Sequence, residues 1–319
     1  MIISASRRTD IPAFYSEWFI NRVKEGFLIV RNPMNNQPRR ILLSPNIVDC
    51  IVFWTKNPIP MIPQLDELKE YCYFFQFTLT GYGKDIERNL PDKKKDLIPA
   101  FQKLSEKLGP ERVIWRYDPI LINERYTKEY HLKAFEEIAG ALKGYTEKCV
   151  FSFIDIYGKN KVAMQKLGIQ ELSDEEMRAL AIQMRDIAYN NGMAISTCAE
   201  KIDLEDLGIS HNACIDKALI EHLTGGKIKD TKKNIKDAGQ REVCKCMTSK
   251  EIGTHNTCGN GCVYCYANYS SESVKKSMAK YDPKSPILCD RIEPDEEVKD
   301  ATDMKALVVK DEQISFIDV

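Results

Sequence analysis

The feature that most constrains the fold is an alternation between short apolar segments and longer amphipathic ones, which extends to about residue 230. Six short runs are apolar and rich in β-branched or aromatic residues, as expected of strands buried on both faces of a sheet. These runs are MIISAS, CIVFW, CYFFQFTL, RVIWRY, CVFSFI and MAIST. The helix-like segments between them are 13–25, 62–70, 97–108, 127–143, 173–191 and 212–224. The alternation predicts an α/β fold with a parallel sheet.

Local signals support individual elements. Ser173 stands three residues before Glu176, which is the spacing of a capping box, and Gly192 follows the end of the same helical segment. Residues 27–44 predict a hairpin beside the first strand-helix unit. A chain of 319 residues can bury a large core and does not need disulfides to fold.

Nearly every predicted strand ends in a charged or hydrogen-bonding cluster. The clusters are SRRTD at 6–10, WTKN at 54–57, TLTGYG at 78–83, WRYD at 115–118, FIDIYGK at 153–159 and STCAEKID at 196–203. Active sites of parallel barrels are built at the carboxyl ends of the strands. The clusters therefore predict a parallel (β/α) barrel, complete or partial and TIM-like, of about six units. An open doubly wound sheet would instead bind its ligand at one or two switch points.

The charged side chains of these clusters are the candidate catalytic residues. They are Arg7, Arg8, Asp10, Lys56, Arg116, Asp118, Asp155 and Glu200. Arginines at the mouth of a barrel suit a carboxylate or a phosphate, which they bind through paired planar hydrogen bonds. The alternative is that the charged residues form ion pairs at the strand ends, and the position of Arg116 and Asp118 is equally compatible with both interpretations.

The regular pattern stops near residue 225. TGGKIKDTKKNIKDAGQRE is polar and lysine-rich and predicts an exposed connection, while 240–319 has many thiols and little periodicity. We therefore predict a barrel domain over 1–235 and a cysteine-rich C-terminal segment over 236–319 that packs on the barrel mouth. The closing stretch ALVVKDEQISFIDV predicts a terminal hairpin or strand pair.

Composition limits the partners and the compartment. With 46 basic and 47 acidic residues, net charge does not indicate nucleic acid or an anionic membrane. No window approaches the roughly 18 apolar residues of a membrane span, and the N-terminus lacks the pattern of a secretory signal, so we expect a cytoplasmic protein. Eleven cysteines in a reducing compartment predict metal ligands or catalytic groups more than disulfides. Cys50, Cys72 and Cys149 adjoin strand-like runs and are interpreted as small buried hydrophobes.

Three cysteines lie within eight positions in the stretch NTCGNGCVYCYAN. Cys258, Cys262 and Cys265 have the spacing Cys-x3-Cys-x2-Cys on a loop that contains two glycines. Three thiolates so close together can bind three corners of a cubane iron-sulfur cluster, and glycines let the backbone wrap around it. The fourth iron then has no nearby protein ligand and is open to a substrate or cofactor.

CGNGCVYC, including Tyr264 before the third cysteine, resembles the signature of the radical S-adenosylmethionine superfamily. The whole chain, with SRRTDIPAFY, VFWTKNP, FQFTLTGYG and VIWRYDPI, is identified as a member of the family named domain of unknown function 1848. The resemblance implies a 4Fe-4S cluster on Cys258, Cys262 and Cys265, with Tyr264 in the cofactor site and S-adenosylmethionine on the open iron. It implies an oxygen-sensitive enzyme that generates a 5′-deoxyadenosyl radical with a reductant such as ferredoxin or flavodoxin. It names no substrate.

The resemblance also shows a departure, because the superfamily usually places its three cysteines after the first barrel strand. Here they follow the whole predicted barrel. The superfamily's glycine-rich segment for the amino group of the cofactor has its candidate counterpart in TGYG at 80–83.

Four further cysteines call for an explanation. Cys198, Cys214, Cys244 and Cys246 could supply the full ligand set of a second, closed cluster. The rival to iron-sulfur binding is a structural zinc site that combines the Cys-x-Cys of residues 244–246 with the Cys-x2-Cys of residues 262–265, and it makes no use of Cys198, Cys214 or Cys258. Three classes of protein therefore stay open: a radical enzyme, an iron-sulfur protein or enzyme that does not use S-adenosylmethionine, and a zinc-stabilised binding protein.

Overall fold

Strands and helices alternate along the chain. A computed structural model describes residues 1–156, 158, 160–231, 236–237 and 239–310. The strands are β1 (Ile2–Ala5), β2 (Phe27–Arg31), β3 (Pro38–Leu42), β4 (Cys50–Thr55), β5 (Tyr73–Thr78), β6 (Val113–Ile120), β7 (Lys148–Phe153), β8 (Ala194–Thr197), β9 (Ser210–His211), β10 (Lys227–Ile228), β11 (Lys250–Glu251), β12 (Lys299–Asp300) and β13 (Val308–Val309). All six strands predicted for the sheet are present.

Helices follow most of these strands. The α-helices are α1 (Ile11–Phe14), α2 (Ser16–Glu25), α3 (Ile98–Leu108), α4 (Lys128–Leu142), α5 (Lys161–Lys166), α6 (Asp174–Asn190), α7 (Lys217–Thr224) and α8 (Ser271–Met278). The described residues also form three 3₁₀ turns (Ile62–Leu68, Pro110–Arg112 and Glu205–Leu207) and one π turn (Lys93–Leu97). The predicted capping box of α6 is present, because Ser173 and Glu176 bond each other's backbone N–H groups. The predicted hairpin is also confirmed, since β2 and β3 pair antiparallel.

The centre of the molecule is an eight-stranded parallel sheet. Its spatial order is β11-β1-β4-β5-β6-β7-β8-β9, so the six predicted strands lie in chain order between two short strands that the sequence pattern did not indicate. Within the described residues, β11 and β9 at the two edges do not pair with each other, and the sheet stays open there. The α/β class and the parallel sheet are therefore confirmed, whereas the sheet does not close into a complete barrel.

One face of this sheet is covered by helices and is mainly apolar. Side chains of a strand alternate between its two faces, so every second residue belongs to the helix-covered side. There Trp115 stacks on Phe135 of α4 at 4.7 Å between ring centroids, and Phe77 stacks on Phe101 of α3 at 5.0 Å. This face forms the main hydrophobic core.

The opposite face changes character along the strands. Val52, Phe74 and Ile114 are packed there with Ile215 and other residues of the segment that follows β9. Nearer the carboxyl ends of the strands the same face carries the buried polar side chains of Gln76, Arg116 and Ser196. Buried polar groups in folded proteins have hydrogen-bond partners. Sites of parallel α/β folds also lie at the carboxyl ends of the strands, so we expect a ligand site at this end of the face.

The C-terminal segment returns to the N-terminal strands, both in the eight-stranded sheet and in a separate three-stranded sheet of the order β12-β3-β2. Strand β11 pairs with β1, β12 pairs with β3, and the backbone N–H groups of Leu307 and Val308 donate to the Asp49 carboxylate. The predicted terminal strand pair is described only as far as β13, which pairs antiparallel with β10, and its remainder lies outside the described residues. The domain boundary near residue 235 stays a prediction. In the described ranges no helix is long and apolar enough to cross a membrane.

Candidate functional site

Residues 256–268, here named the three-cysteine loop, lie against the segment that follows β5. The Asn89 N–H donates to the carbonyl of Asn260 (3.1 Å), and the Val263 N–H donates to the carbonyl of Ile86 (2.9 Å). Between these two bonds, residues 87 and 262 form an antiparallel bridge. The loop is thus held by backbone pairing at the carboxyl edge of the sheet, although it is distant in sequence from every strand it meets there except β11.

Asp10 is the first side-chain anchor of this loop. Its buried carboxylate accepts from Asn260 Nδ2 (2.9 Å), from Thr55 Oγ1 (2.7 Å) and from the Lys56 N–H (2.8 Å). It also caps α1 by accepting from the Ala13 N–H. Burial raises the pKa of Asp10, and these hydrogen bonds oppose the rise. Asp10 therefore joins the ends of β1 and β4 to the loop, which makes it a positioning residue.

Glu87 is the second anchor, and the sequence analysis did not identify it. Its side chain is 1% exposed and accepts from Lys56 Nζ (2.8 Å) and Thr80 Oγ1 (2.9 Å), and also from Lys93 Nζ and the Tyr264 O–H. Lys56 Nζ donates as well to the Tyr264 oxygen (2.8 Å). Burial would raise the pKa of Glu87, but the two ammonium groups hold it at about 2. The carboxylate is therefore charged near neutral pH and accepts a hydrogen bond from the Tyr264 hydroxyl.

The three thiols of the loop are partly exposed and close to one another. Desolvation raises the pKa of Cys258 well above its ordinary value and that of Cys262 to about 12, and neighbouring thiolates of the loop add to both increases. The ammonium group of Lys56 opposes the rise at Cys262. A thiol with a raised pKa still loses its proton when it binds a metal ion, because metal binding stabilises the thiolate. In the described part of the chain, no three or more His, Cys, Asp or Glu side chains are arranged to hold a single metal ion.

Close packing accounts for glycines in and near the loop. A Cβ atom on Gly259 would lie 2.8 Å from the Phe14 ring, and Gly261 has a positive φ of 68° that favours glycine. In the TGYG segment, a Cβ atom on Gly81 would lie 2.7 Å from the Cβ of Ala134. Gly81 is thus explained by the approach of α4, whatever else the segment does.

Cys198, Cys214, Cys244 and Cys246, here named the four-cysteine group, lie at the same edge of the sheet. The Sγ atoms of Cys198 and Cys214 are 3.5 Å apart, and Cys246 is next to both Cys214 and Cys244. The Ile215 N–H also points to the Cys246 sulfur at 3.5 Å. The chain therefore gathers four thiols from positions spread over 198–246.

Arg116 lies under this group, within β6. Its side chain is buried; Nη1 donates to Cys214 Sγ (2.9 Å) and Gln76 Oε1 (3.2 Å), while Nη2 donates to Asp118. The Ser152 hydroxyl also donates to Asp118. Burial would raise the pKa of Asp118, but Arg116 and Ser152 lower it. Arg116 and Asp118 thus form an ion pair, and the guanidinium reaches a thiol as well.

Arg7 approaches the four-cysteine group from the end of β1. Its guanidinium stacks over Trp54 at 4.8 Å and lies 3.8 Å from Asp237. Its pKa is raised, because burial lowers it less than Cys246, Cys214 and Glu251 raise it. The Nη2 atom is buried and has no hydrogen-bond partner within the described ranges. A buried donor without a partner is costly and needs an explanation.

The remaining candidates lie in different places. Glu200 accepts from the Phe153 N–H (2.8 Å), and burial raises its pKa to about 8, with contributions from Asp155, Asp118 and Cys198. Asp155 itself is paired with Arg241. Arg8 lines a surface cavity of about 290 Å³ together with other basic and acidic side chains.

Of the predicted catalytic residues, Asp10 and Lys56 contact the three-cysteine loop, and Arg7, Arg116, Asp118 and Glu200 surround the four-cysteine group. The two groups are also linked to each other. Tyr266 of the loop donates its O–H to the carbonyl of Arg7 (2.6 Å).

Comparison with known proteins places the chain in one family. The sequence model of a family described as "Domain of unknown function (DUF1848)" matches residues 2–267, which include both cysteine groups and all eight candidate charged residues. No curated protein matches the chain.

Proposed function

The chain belongs to the family of domain of unknown function 1848, and we propose that it is a radical S-adenosylmethionine-like enzyme. In this proposal Cys258, Cys262 and Cys265 hold a 4Fe-4S cluster at the carboxyl edge of a partial (β/α) barrel. When bound and reduced, the cluster would supply one electron that cleaves S-adenosylmethionine to methionine and a 5′-deoxyadenosyl radical, which removes a hydrogen atom from an unidentified substrate.

The observation that carries the proposal is the position of the three-cysteine loop. Active sites of α/β folds with parallel strands are built at the carboxyl ends of the strands. The loop is late in the sequence, yet its bonds to residues 86–89, Asp10 and Glu87 hold it at that edge. The three-cysteine loop thus lies at the carboxyl edge of the sheet, beside residues that follow β1. A cysteine motif located directly after β1 in sequence would lie at the same edge.

The donor set is compatible with a cubane. Three thiols on one loop supply three ligands and leave one iron open, which is the requirement for chelation of a small molecule. The corners of a cubane are several ångströms apart, so its ligands do not have to converge on one point. This agrees with thiols that lie near one another without forming a site for a single ion.

The chain's own residues have distinct roles in this proposal. Asp10 and Glu87 position the loop, and Lys56 places a positive charge beside Cys262, where it stabilises the thiolate. Asp118 and Lys56 lie close enough for each to shift the pKa of the other. We propose that these charged groups, which lie between the two cysteine groups, orient the polar parts of the substrate.

The test is to purify and reconstitute the full chain without oxygen, reduce it, and record electron paramagnetic resonance spectra with and without S-adenosylmethionine. The same samples are assayed for 5′-deoxyadenosine. We expect a signal that shifts with the cofactor, and deoxyadenosine that is lost when Cys258, Cys262 and Cys265 are all replaced by Ala. The matched control is Cys72→Ala, which removes a partly exposed thiol at the amino edge of the sheet and should change neither result.

Two other outcomes would replace the proposal. An iron signal that ignores the cofactor, without deoxyadenosine, would identify an iron-sulfur protein that does not use S-adenosylmethionine. Zinc bound by these three cysteines in place of iron would identify a zinc-stabilised protein.

A further inference from the structure

We propose that Cys198, Cys214, Cys244 and Cys246 form a second metal centre, a closed site of four thiolates beside the three-cysteine loop. The inference goes beyond the proposed function and does not depend on it. It rests on how the fold gathers the four thiols and on the charged groups that surround them.

Three separate segments of the chain bring the thiols together. Cys198 follows β8 and Cys214 follows β9, the outermost strand on one side of the sheet. Cys244 and Cys246 precede β11, the outermost strand on the other side. The sulfurs are connected in the order Cys198, Cys214, Cys246, Cys244, with 3.5 Å between the first two. A sheet that curves its two edges toward each other explains why residues next to both edge strands meet.

The alternative is that these are four small buried hydrophobes, and their apolar neighbours are compatible with it. Two guanidinium groups argue against this alternative. Arg116 donates to Cys214 Sγ at 2.9 Å, and the buried Nη2 of Arg7, whose guanidinium lies near Cys246 and Cys214, has no hydrogen-bond partner in the described residues. Asp237 and Asp118 balance charge on the two arginines, but they do not supply an acceptor to Arg7 Nη2, and a buried N–H donor without an acceptor is costly.

A bound metal would supply the missing acceptor. Four thiolates around a Zn²⁺ ion or a 4Fe-4S core retain a net negative charge. That charge would give Arg7 Nη2 and the thiol-facing Nη1 of Arg116 an anionic acceptor, beyond the carboxylate that each arginine already has. Asp118 does not replace it for Arg116, because it is bonded to Nη2, whereas the thiol is bonded to Nη1.

The site would be complete without an external ligand. Four thiolates satisfy a tetrahedral ion or all corners of a cubane, so no position is open to substrate. In their present positions the sulfurs form a chain of contacts and do not surround one point, so metal binding requires rotation of the cysteine side chains. A closed zinc site would hold the three segments together, because zinc has no redox chemistry. A closed iron-sulfur cluster could also transfer electrons.

The site also has an approach from the surface. A cavity of about 410 Å³ is lined by Cys244 together with His211, Lys236, Glu242, Val243 and Lys245. Metal or a reductant can therefore reach the outer end of the group without passing the three-cysteine loop.

The test measures metal bound per chain in two samples of full-length protein, one reconstituted with iron and sulfide without oxygen and one given Zn²⁺ alone. Cys244→Ser/Cys246→Ser should lose about four iron atoms or about one zinc ion. The variant without Cys258, Cys262 and Cys265 should keep that metal, and Cys72→Ser should behave as the original chain. Visible absorption in the first sample identifies a cluster, and stoichiometric zinc in the second identifies a single ion. Equal metal contents in Cys244→Ser/Cys246→Ser and Cys72→Ser would overturn the proposal.

A second measurement avoids any variant that fails to fold. The unmodified chain is alkylated with and without added metal, and each cysteine is quantified by peptide mass spectrometry. We expect Cys198, Cys214, Cys244 and Cys246 to become protected together, with no change at Cys72. Alkylation of the four at the same rate in both conditions would refute the site, even if the three cysteines of the loop were protected.

Discussion

The three-cysteine loop and the four-cysteine group lie at the same edge of the sheet but are assembled in opposite ways. The loop supplies its thiols from eight consecutive positions, 258–265, and depends on Asp10 and Glu87 to hold it in place. The four-cysteine group takes its thiols from positions spread over 198–246 and depends on the order of the strands. The difference teaches that a local motif needs anchors, whereas a dispersed one needs only the fold.

The largest expected effect comes from removing the charge that anchors the loop. Glu87→Gln leaves Lys56 and Lys93 beside a neutral group in a buried site, and breaking a buried pair in this way costs about 3–5 kcal/mol. We expect urea unfolding to show a loss of this size. If the loop holds the proposed cluster, reconstituted Glu87→Gln should bind less iron at the loop, while any metal proposed for the four-cysteine group should be retained.

Glu137→Gln is the matched control, because it breaks an ion pair with Lys94 that is exposed on both sides. Exposed pairs contribute about 0–1 kcal/mol, so little change is expected. Equal metal losses at both cysteine groups in Glu87→Gln would break the comparison, since the loop would then have no anchor of its own.

One effect of acid should be common to both cysteine groups, because the residue that causes it lies on the helix-covered side of the sheet. His131 of α4 is fully buried, with Nδ1 2.9 Å from the Tyr117 hydroxyl and Nε2 2.9 Å from the Leu121 carbonyl. Burial lowers its pKa from 6.5 to about 4. As the pH falls below 6.5 the unfolded chain takes up the proton first, so stability present above that pH is lost progressively towards pH 4. The shift corresponds to about 3 kcal/mol.

The measurement compares urea unfolding at pH 7 and pH 4.5 for the original chain and for His131→Gln, which cannot take up this proton. The charged state of the surroundings should not interfere, because the aromatic side chains packed around His131 are tyrosines that stay neutral at these pH values: Tyr82, Tyr117, Tyr126 and Tyr130. We expect a smaller acid effect in His131→Gln than in the original chain. An equal effect in both would exclude His131 as the cause.

The contrast between the two cysteine groups also separates what the sequence could predict from what it could not. The six central strands and most helices follow from periodicity, and the three-cysteine loop follows from its spacing. Cys198, Cys214, Cys244 and Cys246 could be counted from the sequence, but their contact depends on β9 and β11. These strands are two residues long, too short to leave an alternating pattern.

The partners of Glu87 and the open edges of the sheet are two further features that the sequence could not predict. Glu87 stands in the charged stretch KDIER, which has the composition of a solvated surface, and its partners Lys56 and Tyr264 are 31 and 177 residues away. A single sequence holds no signal for such a pair. The convergence of polar strand ends predicts a barrel, complete or partial, and it cannot decide between the two, because convergence at one edge does not require the outer strands to pair.

The smallest expected effect distinguishes two tyrosines of the same loop. The Tyr264 hydroxyl donates to the Glu87 carboxylate and accepts from Lys56, and hydrogen bonds to charged groups contribute about 1.5–3 kcal/mol. The Tyr266 hydroxyl donates to the neutral carbonyl of Arg7, which is worth about 1 kcal/mol or less at an exposed position. Urea unfolding should therefore show that Tyr264→Phe costs more than Tyr266→Phe.

Cysteine alkylation of the same two variants shows which cysteine group each hydroxyl stabilises. Tyr264 is bonded to the anchor of the loop, so Tyr264→Phe should expose Cys262 to alkylation without affecting Cys246. Tyr266 connects the loop to Arg7, which lies beside Cys246, so Tyr266→Phe should change Cys246 more than Tyr264→Phe does. If Tyr264→Phe exposed both thiols equally, the two groups would behave as one cooperative unit, because the loss of a local anchor would have spread to thiols that only the strand order holds.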